Sequence, residues 1–221
     1  MDGERGGALP GGPGGPGCGG AAAGKAVLRR ALLAARAALT GGQVAAAGEA
    51  LARRAWEIPE LAGARTVAAY VSVGREPGTR ALLDVLRERG VRVLLPVLLA
   101  DNDLDWALYG GPGSLAPAAR GLLEPTGGRL GAGAVLEADA VLLPGLAVDG
   151  RGMRLGRGGG SYDRVLARLA GAGVSPSMLV LLYDGEVLDG VPAEGHDRPV
   201  DAAVTPSGVH RFRRTPGRSA S

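Results

Sequence analysis

Cysteine is almost missing from this 221-residue chain, where Cys18 stands alone. No internal disulfide can form, and a reducing, cytoplasmic setting is expected. Cys18 follows Gly-Pro-Gly and lacks the apolar segment that a lipoprotein leader needs. With two histidines and no clustering, His/Cys zinc sites are excluded. Phe212 is the only phenylalanine and aromatics make up 3% of the chain, so stacking platforms for single-stranded nucleic acid are scarce. Lys25 is the only lysine, which rules out a G-x-x-x-x-G-K-[ST] phosphate loop. Residues 12–17 spell G-x-G-x-x-G, but prolines interrupt the run and no strand precedes it. No G-x-S-x-G elbow occurs. No apolar run approaches the roughly 18–20 residues of a membrane span. A net charge of +3 does not call for nucleic acid. Arginine in place of lysine, with abundant alanine and glycine, reads as a coding bias.

What is present is a chain with the pattern of one folded domain and two polar or Gly-rich ends. Residues 1–24 are rich in Gly, Pro and Ala without a hydrophobic period and are expected to be disordered and removable. Residues 211–221 read as a basic, frayed tail. Between them, 25–210 suffices for a single catalytic α/β domain with a full core. Apolar spacing predicts helices over 25–39, 43–56, 79–89 and 161–170. In the first, Leu28, Leu32, Ala35 and Leu39 share a face, and Arg29, Arg30 and Arg36 fall on others. Strands are expected over 66–71, 91–97, 104–109, 138–143, 178–183 and 202–205, with 110–133 mostly loop. The alternation implies a largely parallel sheet with ligands beyond the carboxyl ends of its strands. That rule places the loops 72–76 and 149–160 on one rim.

The most chemically loaded segment runs from Leu142 to Leu166. An apolar strand ends at Pro144-Gly145. A loop follows with Gly156, Gly158, Gly159 and Gly160 among Arg154 and Arg157, and Tyr162-Asp163 opens a helix. Glycines let backbone N–H groups turn toward an anion, a helix start adds positive partial charge, and arginines supply forked donors. On the residues alone, this segment fits either an anion cradle or a flexible turn in a chain holding 40 glycines.

Pro-Gly-Leu-Ala-x-Asp, followed by Arg-Leu-Gly-Arg-Gly-x-Gly-x-Tyr-Asp, resembles the signature of the 5-formyltetrahydrofolate cyclo-ligase (5,10-methenyltetrahydrofolate synthetase) family. The resemblance covers 25 to about 205, densest over 142–166 and thinnest over 98–137. It implies a three-layer α/β/α sandwich with a largely parallel sheet. It also implies a cytoplasmic, ATP-dependent ligase of folate and one-carbon metabolism that binds Mg²⁺ and uses ATP as co-substrate. The reaction implied converts 5-formyltetrahydrofolate to 5,10-methenyltetrahydrofolate with release of ADP and phosphate. The chain is expected to act as a monomer, with no nucleic-acid or membrane partner.

The same resemblance implies roles position by position. Lys25 and Arg29, in Lys-x-x-x-Arg, match a helix that touches ATP; the residues alone favour an amphipathic surface helix. Val71 and Glu76, ahead of Thr79, match positions that contact the folate, and a carboxylate suits the N–H donors of a pterin. Arg154, Leu155, Gly156, Arg157, Gly158, Gly159, Gly160, Ser161 and Tyr162 match the ATP-phosphate loop. Within it, Arg157 through Ser161 also face the folate, and Arg157 and Tyr162 are the catalytic candidates. Asp163 and Asp197 match the magnesium positions, and His196 reads as a loop residue. Gly159 and Ser161 stand where many members carry lysine and tyrosine, which removes a cation beside the phosphates. Arg157, with Arg154 or Lys25, would then carry that charge. Two other readings remain: a non-catalytic folate- or nucleotide-binding protein of the same fold, and Arg/Gly-mediated nucleic-acid binding.

Overall fold

The computed structural model describes residues 19–195 and 197–212. Its centre is a seven-stranded sheet in the order β12-β11-β9-β6-β1-β2-β3. The strands are β1 (Thr66–Ala68), β2 (Arg92–Leu98), β3 (Leu104–Leu108), β6 (Ala140–Pro144), β9 (Ser177–Leu181), β11 (Ala202–Thr205) and β12 (Gly208–Arg211). From β11 to β2 the neighbours pair in parallel. The two edge strands, β12 and β3, are antiparallel. Two smaller units complete the chain: the hairpin of β4 (Leu115–Pro117) and β5 (Leu123–Pro125), and a sheet of β10 (Val187–Leu188), β7 (Ala147–Asp149) and β8 (Arg154–Leu155).

Successive side chains of the central strands point to opposite faces, and each face meets its own helical layer. Val67, Val93, Leu95, Leu142 and Leu179 pack on one side against α2 (Gly41–Arg54), α3 (Pro59–Ala62) and α4 (Arg80–Glu88). Ala68, Leu94, Val141, Leu143 and Val180 pack on the other against α5 (Ser161–Gly171) and a 3₁₀ stretch at Ala132–Glu137. The expected three-layer sandwich with a largely parallel sheet is therefore the observed architecture. The first helix, α1 (Gly19–Ala37), lies apart on the small sheet, where Leu28 and Leu32 cover Leu146, Ala147, Leu155 and Val191.

Several boundaries differ from the sequence reading. Helix α1 begins at Gly19, so 19–24 are helical and not part of a disordered extension. Alanine is the best helix former, and Gly24 has a tertiary partner in Pro192. Residues 1–18 lie outside the described residues. The segment after β11 turns back as β12 to pair with it, so Arg211 ends a strand and does not start a tail; 213–221 also lie outside the described residues. Arg36, placed on an outer face of its helix, is buried. Among the described residues no helix is long and apolar enough to cross a membrane.

Candidate active site

Two cavities meet at the carboxyl ends of the central strands. The larger, about 430 Å³, is enclosed by the loop after β1, the β2–β3 region, the β4–β5 hairpin and the glycine loop leading into α5. The second, about 380 Å³, lies between α5 and the 195–199 segment and is lined by Asp163, Asp197 and Arg198 among others. Arg154 and Asp163 line both, so they form the shared wall.

The first loop is rigid for a local reason. The Ser72 N–H donates to Thr79 Oγ1 at 2.9 Å and the Thr79 N–H donates back to Ser72 Oγ at 3.2 Å. Within that clasp, Glu76 is buried and its Oε2 accepts from the Val73 N–H at 2.9 Å. Its Oε1 accepts from Arg157 at 3.1 Å, which joins the two predicted loops across the cavity. Val71 lines the same space, as do Gly156 through Tyr162. Burial lifts the hydroxyls of Tyr70 and Tyr162 well above the ordinary phenol range, and the Glu76 carboxylate adds to this, so both stay protonated donors. The Tyr162 hydroxyl is buried and has no hydrogen-bond partner among the described residues.

The glycine loop needs glycine at defined points. Gly158 (φ +91°) and Gly160 (φ +78°) occupy the left-handed half of backbone space, and Gly160 precedes the first residue of α5. Gly159 does not, and a Cβ there meets nothing within 4 Å. The Arg154 side chain is buried, donates to the Pro144 carbonyl at 2.9 Å and keeps one guanidinium nitrogen, Nε, without a partner among the described residues. Its nearest carboxylate is Asp163 at 3.7 Å. Burial holds its pKa below the usual guanidinium value, opposed by Asp163 and neighbouring groups, yet an arginine retains its charge. Leu155 lines neither cavity; it points into the small core under α1.

Helix α1 brings the Lys25 and Arg29 pair to the same region, one turn apart on one face. Lys25 Nζ donates to Glu194 at 2.7 Å and to Asp197 at 2.6 Å. Its burial opposes the charge, and those two hydrogen bonds more than restore it, leaving the pKa raised. Arg29 donates to the Gly156 carbonyl at 2.9 Å and lies against Gly158. Asp163 and Asp197 face one cavity from distant segments, and among the described residues no three His, Cys, Asp or Glu side chains converge to hold a metal by themselves. That donor set suits Mg²⁺, which takes one or two carboxylates and completes its shell with phosphate oxygens and water. His196 lies outside the described residues.

Some residues of the motif hold the loop and do not face a ligand. Asp149 is fully buried and accepts from the N–H groups of Arg151, Met153 and Val191, at 2.9, 3.0 and 3.1 Å. Sequence reasoning missed Arg36, which makes a two-pronged pair with buried Glu186 at 2.6 and 2.8 Å and also donates to the Gly145 carbonyl at 2.7 Å. It also missed Arg120, in the wall of the larger cavity, which sits in the thinnest part of the pattern.

Comparison with known proteins agrees with this geometry. The family model described as "5-formyltetrahydrofolate cyclo-ligase family" matches residues 21–206. The 5-formyltetrahydrofolate cyclo-ligase of Mycolicibacterium smegmatis is 45% identical over 189 residues, covering 82% of this chain and 93% of that protein. The Escherichia coli protein of the same name is 32% identical over 179 residues, covering 79% of this chain and 96% of that one. The solution structure of Aquifex aeolicus 5,10-methenyltetrahydrofolate synthetase superposes with a TM-score of 0.73 at 28% identity, covering 89% of this chain and 96% of the other. With its signature loop, its paired cavities and these relatives in agreement, the chain belongs to the 5-formyltetrahydrofolate cyclo-ligase family.

Proposed function

We propose that this protein is an ATP-dependent ligase that closes 5-formyltetrahydrofolate to 5,10-methenyltetrahydrofolate, releasing ADP and phosphate. The observation that carries the reading is the pair of cavities sharing Arg154 and Asp163. Two substrates bound side by side would meet at that wall, which is what group transfer between them requires.

The larger cavity takes the folate. Glu76 accepts hydrogen bonds from the pterin, and the apolar walls cover its ring systems. The nucleotide phosphates lie where the second cavity meets the larger one, with Arg154 in the shared wall, the glycine-loop N–H groups on the larger-cavity side, and Lys25 and Arg29 of α1 anchored beside them on Asp197 and Gly156. Asp163 and Asp197 would hold Mg²⁺, which neutralises phosphate charge when bound.

The formyl oxygen attacks the γ-phosphorus, the bond to ADP breaks, and an imino-phosphate forms on N5. N10 then attacks the formyl carbon and loses its proton. Phosphate leaves with the C–O bonding pair, and the methenyl bridge results. Arg154, a buried cation with an unpartnered N–H in the shared wall, stabilises charge on the transferred phosphoryl group. Arg157 holds Glu76 in place from the loop, and the Tyr162 hydroxyl donates toward the bound folate.

The test is to mix the protein with 5-formyltetrahydrofolate and Mg-ATP and follow the absorbance of the methenyl product. Product is expected only with both ATP and a divalent metal present. Turnover undiminished in excess EDTA would remove the metal from the reading. Tight binding of both substrates without product would favour a non-catalytic binding protein.

A further inference from the structure

Arg120 has two unusual properties. Its backbone has φ +59° and ψ +23°, a left-handed conformation that disfavours side chains other than glycine, asparagine and aspartate. It also lines the larger cavity, on the wall built by the β4–β5 connection, and is exposed to solvent there. Strain of this kind persists where the surroundings enforce it, and it clusters at ligand sites.

The turn is closed by the Leu122 N–H on the Ala119 carbonyl, and the Arg120 side chain has a specific partner. Arg120 Nη1 donates to Asn102 Oδ1 at 2.9 Å. Among the described residues Asn102 is the other non-glycine residue with positive φ, at +65°, in the tight turn between β2 and β3. That turn is fastened to α5 from both sides of Asn102: Asp101 pairs with Arg164 at 3.4 Å and Asp103 with Arg168 at 2.6 Å. Arg120 is thus aimed by a turn clamped to the helix that carries the glycine loop. Its side-chain partner is a neutral amide, so its positive charge is not neutralised there, unlike that of Arg157, Arg164 and Arg168.

The cavity therefore presents Glu76 with Arg157, an apolar stretch of Pro96, Leu98, Leu104 and Leu122, Glu124, whose Oε1 accepts from the Leu98 N–H at 2.9 Å, and an exposed cation. Resting on the function proposed above, we infer that Arg120 binds a carboxylate of the substrate's glutamate tail and makes the enzyme selective for folates with an acidic tail. The substrate has the same composition: a hydrogen-bonding pterin, an aromatic ring and a dianionic glutamate.

The experiment compares 5-formyltetrahydrofolate with its bis-amide, in which both glutamate carboxylates are neutral. In Arg120→Ala, KM for 5-formyltetrahydrofolate is expected to rise about tenfold, the loss of roughly 1.4 kcal/mol. KM for the bis-amide and for ATP should move less than twofold, and Arg120→Lys should recover part of the loss. Arg120→Gly should show the same tail-specific rise with an unfolding midpoint no lower than wild type, because glycine relieves the strained φ. A rise that is equal for both compounds, or no rise, overturns the inference. Calorimetric binding of the two compounds gives the same comparison without turnover. Absence of product would therefore overturn the reaction, and equal affinities would overturn the contact.

Discussion

Arg154 and Arg157 belong to one loop but have different surroundings. Arg157 is half exposed and spends its charge on Glu76, whereas Arg154 is buried in the wall between the cavities with an N–H unused. Replacing Arg154 with methionine should lower turnover by about 10³–10⁵ at saturating substrates, the range for a cation on a transferring phosphoryl group. The variant should unfold at the same or a higher temperature, because a buried and incompletely paired charge is costly. Arg157→Met should act mainly on KM for the folate, through a loosened Glu76. Steady-state kinetics with melting curves separates these outcomes, and equal kinetic defects would contradict the division of roles. Glycine positions in the loop are likewise unequal. Gly159→Lys should fold normally and match or exceed the wild-type rate, since the backbone permits a side chain and the space is open. Gly158→Lys should lose about 1–2 kcal/mol, because its φ of +91° is strained for any side chain. The glycine-loop residues of the candidate site were legible as a possible anion cradle because 154–163 form one short segment. The pairing of Arg157 with Glu76 was not, because the two are 81 positions apart and no local pattern encodes the contact.

Helix α2 shows how an element positions the site without touching it. Gly48, inside α2, packs backbone to backbone on Gly78: a Cβ on Gly48 would lie 3.1 Å from the Gly78 Cα and carbonyl oxygen. Gly78 belongs to the clasped loop that carries Glu76. Gly48→Leu should therefore destabilise the fold by about 1–3 kcal/mol through overpacking, and should also raise KM for the folate as the loop is pushed outward. A stability loss without a change in KM would show that the loop moves independently of α2. The helices with strong local signals were legible. Thr40 and Gln43 form a capping box at the start of α2, and Gly90 at φ +80° follows α4. Strands β4, β5, β7, β8, β10 and β12 were not, since pieces of two to four residues in Gly/Pro-rich segments are too short to show a period. Arg36 misled for a related reason. An arginine on an amphipathic helix reads as solvent-facing, and its partner Glu186 lies 150 positions away.

At the scale of the whole molecule, the sheet's β12 edge is fastened to α3 by charge. Arg211 donates to both oxygens of Glu60, at 2.7 and 2.9 Å, and this pulls the Glu60 carboxyl from 4.5 down to about 2. The folded value lies below the unfolded one, so the stabilisation is complete above about pH 4.5 and is lost as pH falls through about 2. Both side chains are exposed, so the contribution is modest and screened by salt. The gap in unfolding midpoint between wild type and Glu60→Gln should be widest near neutrality. It should close on titration from about pH 5 to about pH 2 and narrow with added salt. A gap that widens on acidification would assign the acid sensitivity to other carboxylates.

The docking of α1 has a consequence for how the protein is made. Its Arg36 reaches Gly145 and Glu186, its Arg29 reaches Gly156, and its Lys25 reaches Glu194 and Asp197. Translation delivers α1 well before any of these partners. The helix can complete its docking only when the segment through Asp197 has emerged from the ribosome. Copies that stall or are clipped before that point keep the glycine loop but not the lysine anchored beside it. Full docking of α1 therefore waits for a segment 172 positions downstream of Lys25, and chains cut short before Asp197 leave the helix unanchored and open to proteolysis.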